Sequence, residues 1–98
     1  MTIKGTLIHG LRIGEELHKD FEVRAANAGD MFDAEDSSPV SKPLTFRMAL
    51  LGIQLVKLGS LSGPIALKVL RGLHTEDMDI LSKAQQEADK EGNALPSG

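Results

Sequence analysis

The chain has 98 residues, a net charge of −3, three Phe, and no Cys, Trp or Tyr. Its length allows one domain. Without Cys it can hold no disulfide framework, thiolate nucleophile or Cys-bound zinc, and its mild acidity argues against a protein whose main partner is nucleic-acid phosphate. No apolar run reaches the roughly 18 residues of a membrane span, and the N-terminus lacks an apolar signal core. We therefore expect a soluble, cytoplasmic protein with no nucleic-acid or membrane partner.

The beginning of the chain alternates between apolar and polar side chains. In the first stretch, the odd-numbered positions carry most of the apolar side chains: Ile3, Leu7, Leu11 and Ile13. Such alternation is typical of a half-buried strand. A second stretch repeats it with Phe21 and Val23 pointing inward, so the pattern predicts a β-hairpin over residues 3–25. Gly5 and Gly10 weaken the first strand and allow a bulge.

Helical signals follow the hairpin in four segments: residues 28–36, 44–58, 64–72 and 75–91. Asn27 is a good N-cap for the first helix, and Asp30 favours the positive end of its dipole. Pro64 suits the first position of the third helix. Thr75 caps the fourth.

The last helix carries a thin apolar stripe made of Met78, Leu81, Ala84 and Ala88. Past Lys83 it is rich in Gln, Glu and Lys, and we expect that part to be solvated. The hairpin and the helices together predict one small α+β domain over residues 1–92, with residues 93–98 frayed.

The segment 44–58 is the most apolar part of the chain. As a helix, its apolar residues cover roughly two-thirds of the circumference, against a stripe of roughly 100° on an ordinary surface helix. Such residues usually belong to the core, where the hairpin and the later helices would cover them. The alternative is that part of this face binds a partner, because a contiguous apolar patch on a small protein usually marks an interaction site. We assign partner binding to six residues: Phe46, Leu50, Leu51, Ile53, Leu55 and Leu58.

Candidate catalytic and metal-binding side chains form no recognised motif. His9, His18 and His74 lack a ligand spacing such as HxxxH, so we interpret them as ordinary, partly exposed side chains. The acidic side chains of residues 30–36, Asp30 among them, lack the spacing of a calcium loop and fit a solvated helix face. No nucleophile elbow or phosphate loop occurs. We therefore expect no enzymatic activity, no metal site and no cofactor.

Although the chain has no recognised catalytic motif, three of its segments resemble sequences of a known protein family. The first is a strand followed by a helix start, FEVRAANAGDM at residues 21–31; the second is LLGIQLVKLG at 50–59; the third is LRGL at 70–73, followed by DMDIL at 77–81. In these segments the chain resembles the tail assembly chaperones of Mu-like, contractile-tailed phages and prophages. The resemblance extends over most of the chain, from residue 8 to residue 88. One departure is Ala25-Ala26, where we expect a Pro between strand and helix.

The resemblance implies a non-enzymatic factor of phage morphogenesis. Such proteins bind the tape measure protein and keep it soluble while tail tube subunits polymerise around it, and they are absent from the finished virion. We therefore expect the tape measure protein as partner, the tail tube protein as a further one, and the cytoplasm of the bacterial host as the location. Formation of a homo-oligomer is also open, because a chain this short buries only about 60–70% of its unfolded surface on its own.

A small DNA-binding regulator is the alternative, with residues 64–73 and 75–88 as a helix-turn-helix. Against it, the last helix carries Glu76, Asp77 and Asp79 where a recognition helix needs groups that bind bases and phosphates. Salt-dependent binding of random duplex DNA, seen as a shift in its electrophoretic mobility, would favour this alternative.

Overall fold

The computed structural model describes residues 2–38 and 41–93, and the side chains up to residue 90. The elements are β1 (Thr2–Ile13), β2 (Glu16–Arg24), α1 (Ala28–Ser37), α2 (Pro43–Gln54), β3 (Leu55–Leu58), β4 (Leu61–Ser62), α3 (Leu67–Leu70) and α4 (Thr75–Asn93). The strands form one antiparallel sheet in the spatial order β1-β2-β3-β4. The predicted α+β class and N-terminal hairpin are confirmed.

A wide bulge interrupts the hairpin. Thr6 pairs with Asp20 and Leu11 pairs with His18, so residues 7–10 of β1 stand opposite Lys19 alone. Gly10 lies within this bulge with φ +81°, a value that favours glycine. The bulge that the sequence allowed at Gly10 is therefore present.

Opposite the bulge, the buried side chains of β2 switch from odd-numbered to even-numbered positions. Phe21 and Val23 point inward as predicted, but His18 is buried and Leu17 is 46% exposed. A strict alternation would have placed Leu17 on the inner face with Phe21. The change follows from the bulge, which shifts the pairing of the two strands between Thr6 and Leu11.

Helix α1 begins as the sequence predicts. The side chain of Asn27 accepts the N–H of Asp30, and the side chain of Asp30 accepts the N–H of Asn27, which together form a capping box. The helix continues to Ser37, one residue beyond the predicted end.

The helix predicted over residues 44–58 is wrong in its last four residues. Helix α2 ends at Gln54, and the chain continues as β3, in which Leu58 pairs with Phe21 and Lys57 pairs with Glu22. The pairing shifts next to Glu22, so Leu55 and Leu58 both turn inward although three positions separate them. That spacing is also the helical one, and therefore periodicity could not distinguish the two structures.

The helix predicted over residues 64–72 is also wrong in extent. Helix α3 is a single turn, Leu67–Leu70, and Pro64 precedes it rather than starting it. The segment before α3 is extended because it bonds to the end of α2 and to β3: Ile65 N–H donates to the oxygen of Gly52 in α2 at 2.9 Å, and Gly63 N–H donates to that of Val56 in β3 at 2.8 Å. This removes the two-helix unit on which the DNA-binding alternative depends.

Helix α4 begins at Thr75 as predicted and ends at Asn93, two residues later than predicted. Leu81, Ala84 and Ala88 pack in the main core. Past Lys83, the side chains of Gln86, Glu87 and Lys90 are exposed as expected, but Gln85 is buried. The tail beyond Asn93 lies outside the described residues, so its predicted fraying stays a prediction.

The main core lies between the inner face of the sheet, α2 and α4. It contains Leu7, Leu11, Phe21, Val23, Met48, Leu51, Leu55, Leu58, Ile65, Leu70, Leu81, Ala84 and Ala88. A smaller cluster of Ala34, Ala49 and Leu50 joins α1 to α2. No helix in the described part of the chain is both long and apolar enough to cross a membrane.

Candidate partner-binding surface

The six residues predicted to bind a partner divide into three groups. Leu51, Leu55 and Leu58 are at most 1% exposed and belong to the main core. Leu50 is buried in the smaller cluster, and Phe46 and Ile53 are half-buried at its margin. In this conformation the first three side chains cannot reach a partner, because the sheet and the helices cover them.

The most exposed large apolar side chain of the segment 44–58 lies at the N-terminal end of α2. Leu44 is 54% exposed. Beside it lies a cleft of about 300 Å³, here called the Leu44 cleft, lined by Leu44, Thr45, Met48, Leu67, Leu70, Arg71, Leu73 and Met78. The cleft is open because α3 is only one turn long, so its side chains cover little of α2. Its lining is apolar apart from Thr45 and the cationic Arg71.

A second cleft borders α2 at Phe46. This Phe46 cleft, of about 430 Å³, is lined by Pro43, Phe46, Arg47, Leu50, Gln85, Gln86 and Asp89. Its lining is more polar than that of the Leu44 cleft. Residues from the first half of α2 line both clefts, so this part of the helix lies between them.

Further large apolar side chains are exposed outside α2. Helix α1 exposes Met31 and Phe32, the latter by 68%, beside the exposed acidic side chains of its outer face. The strands expose Ile8, Leu17 and Val56. The exposure of Leu44 and Phe32 was not predicted from the sequence. Phe32 offered a signal, since it is a large apolar residue within an otherwise acidic helix.

An ion pair fixes the start of α1. The guanidinium of Arg24 donates to both carboxylate oxygens of Asp30, at 2.7 and 3.0 Å. This pairing lowers the pKa of Asp30 below its ordinary value, against the opposing effect of burial, and Asn27 N–H contributes in the same direction. Asp30 is buried, so its assignment to a solvated face is wrong, whereas Asp33 and its later acidic neighbours are exposed as predicted.

A buried amide network fixes one wall of the Phe46 cleft. Gln54 donates from Nε2 to the backbone oxygen of Arg24 at 2.8 Å and to Oδ1 of Asp89 at 3.0 Å. The same Oδ1 accepts Ala26 N–H at 2.9 Å. Gln85 donates to Gln54 in turn. The network therefore joins the end of α2, the middle of α4 and the link between β2 and α1.

Asp77 holds the first turn of α4 against the bulge of β1. Its carboxylate accepts the N–H groups of Ile8 at 2.7 Å, His9 at 3.1 Å and Gly10 at 2.9 Å, and its side chain is fully buried. Burial acts to raise its pKa, but the three backbone bonds and nearby His9 outweigh it, so the pKa lies below its ordinary value. The next residue, Met78, lines the Leu44 cleft.

The three histidines have two different environments. His18 is buried, and its Nδ1 accepts Ser60 N–H at 3.2 Å, so the prediction of a partly exposed side chain is wrong there. His9 and His74 are exposed as predicted. Their rings stack with centroids 3.8 Å apart, a proximity that their separation in the sequence could not indicate.

The comparisons with known proteins agree with one another. A family model described as Tail assembly protein gp41 matches residues 7–95. The Mu-like prophage FluMu protein gp41 of Haemophilus influenzae is 32% identical over 85 residues, which are 74% of this chain and 67% of that protein. The probable tail assembly protein gp41 of Escherichia phage Mu is 27% identical over 97 residues, 88% of this chain and 67% of that protein.

A further relative of phage Mu, the probable tail assembly protein FS-gp41, is also 27% identical, and the chain spans 52% of its length. No solved structure matches the chain significantly. The matches define the class of this protein as phage tail assembly proteins. Within that class the chain belongs to the tail assembly protein gp41 family of Mu-like phages and prophages, which confirms the resemblance found in the sequence.

Proposed function

We propose that this chain is a non-enzymatic chaperone of tail assembly that binds the tape measure protein and keeps it soluble until tail tube subunits replace it. The observation that carries the proposal is the Leu44 cleft, an open apolar surface beside an exposed helix, in a member of a tail assembly family. An exposed apolar surface of this kind is typical of a protein interaction site.

The client segment that fits this surface is an amphipathic helix. A helix presents apolar residues at i, i+3, i+4 and i+7, and a groove between helices accommodates such a row. Leu44, Leu73 and Met78 offer apolar contacts along the cleft, and Arg71 offers a cation to an acidic residue flanking the row. Met48 and Met78 have flexible side chains that adapt to different apolar residues.

The charge of the protein suits this role. The net charge is −3, and the acidic side chains Asp33, Glu35 and Asp36 are exposed on α1. Negative surface charge keeps a complex soluble while an apolar client is bound. Release needs no nucleotide, since tube subunits that bind the same client surface displace the chaperone by mass action. This cycle takes place in the cytoplasm of the bacterial host, and the chaperone is absent from the mature virion.

The proposed surface differs from the six residues assigned from the sequence. Phe46 and Ile53 are half-buried but do not line the Leu44 cleft, whereas Leu51, Leu55 and Leu58 lie in the core. Leu44 becomes the central residue of the proposed surface. A charge at Leu51 would therefore unfold the protein rather than test binding.

The experiment is co-expression of the chain with the tape measure protein of the same phage. Leu44→Glu places a charge at the cleft without disturbing the core, and we expect the tape measure protein to become insoluble and to be lost from co-purification. Leu17→Glu is the matched control, because Leu17 is 46% exposed on β2 and lines neither cleft.

We expect the control to retain the client at the wild-type level. Both variants are checked for unchanged circular dichroism and Tm. Equal retention of the client by wild type and Leu44→Glu would show that the Leu44 cleft is not the binding surface. Failure of the wild-type chain itself to solubilise the tape measure protein would refute the chaperone role.

A further inference from the structure

His9, His74 and Glu76 meet where the bulge of β1 touches the start of α4. Nε2 of His9 lies 2.8 Å from Oε1 of Glu76, and Nδ1 of His74 lies 3.8 Å from the same oxygen. One candidate ligand atom from each of the three side chains lies within 4.8 Å of the other two, and all three side chains are exposed.

The backbone of this cluster is fixed although its side chains face solvent. Buried Asp77 binds the N–H groups of Ile8, His9 and Gly10, and it follows Glu76 directly in α4. The Cα positions of His9 and Glu76 are therefore held by one internal contact. The imidazole and carboxylate groups keep the freedom to reorient around a ligand.

We propose that this cluster binds one divalent transition-metal ion of the zinc type, with His9, His74 and Glu76 as ligands and water in the fourth position. Two imidazole nitrogens and a carboxylate oxygen form a donor set that Zn²⁺ accepts in open tetrahedral sites. Ca²⁺ and Mg²⁺ prefer oxygen ligands, so the two histidines disfavour them.

Binding requires a small rearrangement. Zinc lies about 2.0–2.2 Å from nitrogen and oxygen ligands, which brings ligand atoms to roughly 3.3 Å from one another. His9 and Glu76 are already closer than that, and the ion takes the place of the proton between them. His74 turns out of its stack on His9 so that its lone pair points to the ion. It also gives up the bond of 3.1 Å that its Nδ1 accepts from Glu76 N–H.

The bound ion would join the bulge of β1 to the start of α4. His74 directly follows Leu73, and Glu76 lies two residues before Met78, and both apolar residues line the Leu44 cleft. The metal site therefore acts on one wall of that cleft, but its existence does not depend on the proposed chaperone function.

The test is calorimetric titration of the untagged chain with ZnCl₂ after treatment with a chelator. We expect one saturable site per chain and a Tm that rises with Zn²⁺ concentration, because an ion that binds only the folded state stabilises it. His9→Gln, His74→Gln and Glu76→Gln should each weaken binding at least about tenfold. Asp79→Asn is the matched control, since Asp79 is an exposed carboxylate on α4 that pairs with Lys83, and it should bind as the wild type does.

All four variants should have the wild-type Tm in the absence of metal, because the four side chains are exposed and their replacement disturbs no core contact. Absence of saturable binding would overturn the proposal. So would unchanged affinity of His74→Gln, which would leave only a pair of ligands, or equal losses in Asp79→Asn and Glu76→Gln. CaCl₂ at the same concentration should leave the Tm unchanged, and an equal shift with Ca²⁺ would contradict the zinc-type donor set.

Discussion

Gln85 donates a hydrogen bond of 2.8 Å to Oε1 of Gln54 in the interior of the protein, where neither side chain is more than 4% exposed. Gln54 in turn donates hydrogen bonds to the backbone oxygen of Arg24 and to Oδ1 of Asp89. Two helices and the link before α1 are thus held by side-chain amides rather than by apolar contact alone. Buried amides stabilise a fold only when their partners are present.

Replacement of Gln54 should expose this dependence. Gln54→Leu keeps the approximate volume but leaves the backbone oxygen of Arg24 without its amide donor inside the protein. We expect the free energy of unfolding to fall by about 2–3 kcal/mol. The control is Gln86→Leu, because Gln86 follows Gln85 in α4 but is exposed. This variant should change the free energy of unfolding by less than about 0.5 kcal/mol. Urea denaturation measures both, and equal effects would contradict a structural role for the network.

Asp77→Asn tests the contact between α4 and the bulge. An amide keeps one acceptor oxygen, but its NH₂ group faces backbone N–H groups that need an acceptor. We expect a loss of about 2–4 kcal/mol in the free energy of unfolding, because bonds to a charged acceptor are lost and buried donors are left unpaired. Asp79→Asn, exposed two residues later, should have almost no effect. A stable Asp77→Asn variant would show that the bulge does not depend on the carboxylate.

The stability of the protein should fall in acid. The pKa values of Asp77 and Asp30 lie below the ordinary 3.8 in the folded state. A lowered pKa contributes stability that is fully present above the unfolded value and is lost as the pH falls from about 4 towards the folded value, since the unfolded chain then binds more protons. Denaturation at pH 7, 4 and 3 should show the difference between wild type and Asp77→Asn narrowing with falling pH. A constant difference would contradict this linkage.

Two glycines allow strain and crowding to be separated. Gly59 and Gly14 both have positive φ, +60° and +64°. A Cβ at Gly59 would collide with the buried ring of His18, whereas a Cβ at Gly14 would meet no atom within 4 Å. We expect Gly59→Ala to lower the free energy of unfolding by about 1–3 kcal/mol more than Gly14→Ala does. Thermal or urea unfolding measures the difference, and similar losses would mean that His18 moves aside freely.

Leu51 and Leu44 distinguish the core from the surface of α2. Leu51 is fully buried and Leu44 is 54% exposed, although both lie on the same helix. Leu51→Ala should cost about 2–5 kcal/mol, because it opens a cavity. Leu44→Ala should cost less than about 0.5 kcal/mol, while weakening the capture of the tape measure protein. A large loss of stability in Leu44→Ala would place Leu44 in the core and remove the basis for the cleft.

The elements that the sequence predicted are those governed by local rules. Alternation marked the hairpin, the capping pair of Asn27 and Asp30 marked the start of α1, and Thr75 marked the start of α4. The change from helix to strand after Gln54 depends on pairing with β2, which is distant in the chain. An apolar segment supplies no local signal for such a change.

The candidate site was only partly predictable for a related reason. Periodicity indicated that α2 is apolar around most of its surface, but it could not say which part α3 leaves uncovered. Buried polar groups such as Asp77 and Gln85 have the sequence pattern of solvated ones. His9 and Glu76 stand 67 positions apart, so no spacing rule could join them.

The bulge of β1 also bears on how the sheet meets other chains. β1 is an outer strand, and its unpaired amides could template the addition of a foreign strand. Between Thr6 and Leu11 the amides of Ile8, His9 and Gly10 instead bond to Asp77. The opposite margin, β4, has only two residues. The sheet therefore resists edge-to-edge growth into fibrils, a useful property for a protein that exposes large apolar side chains.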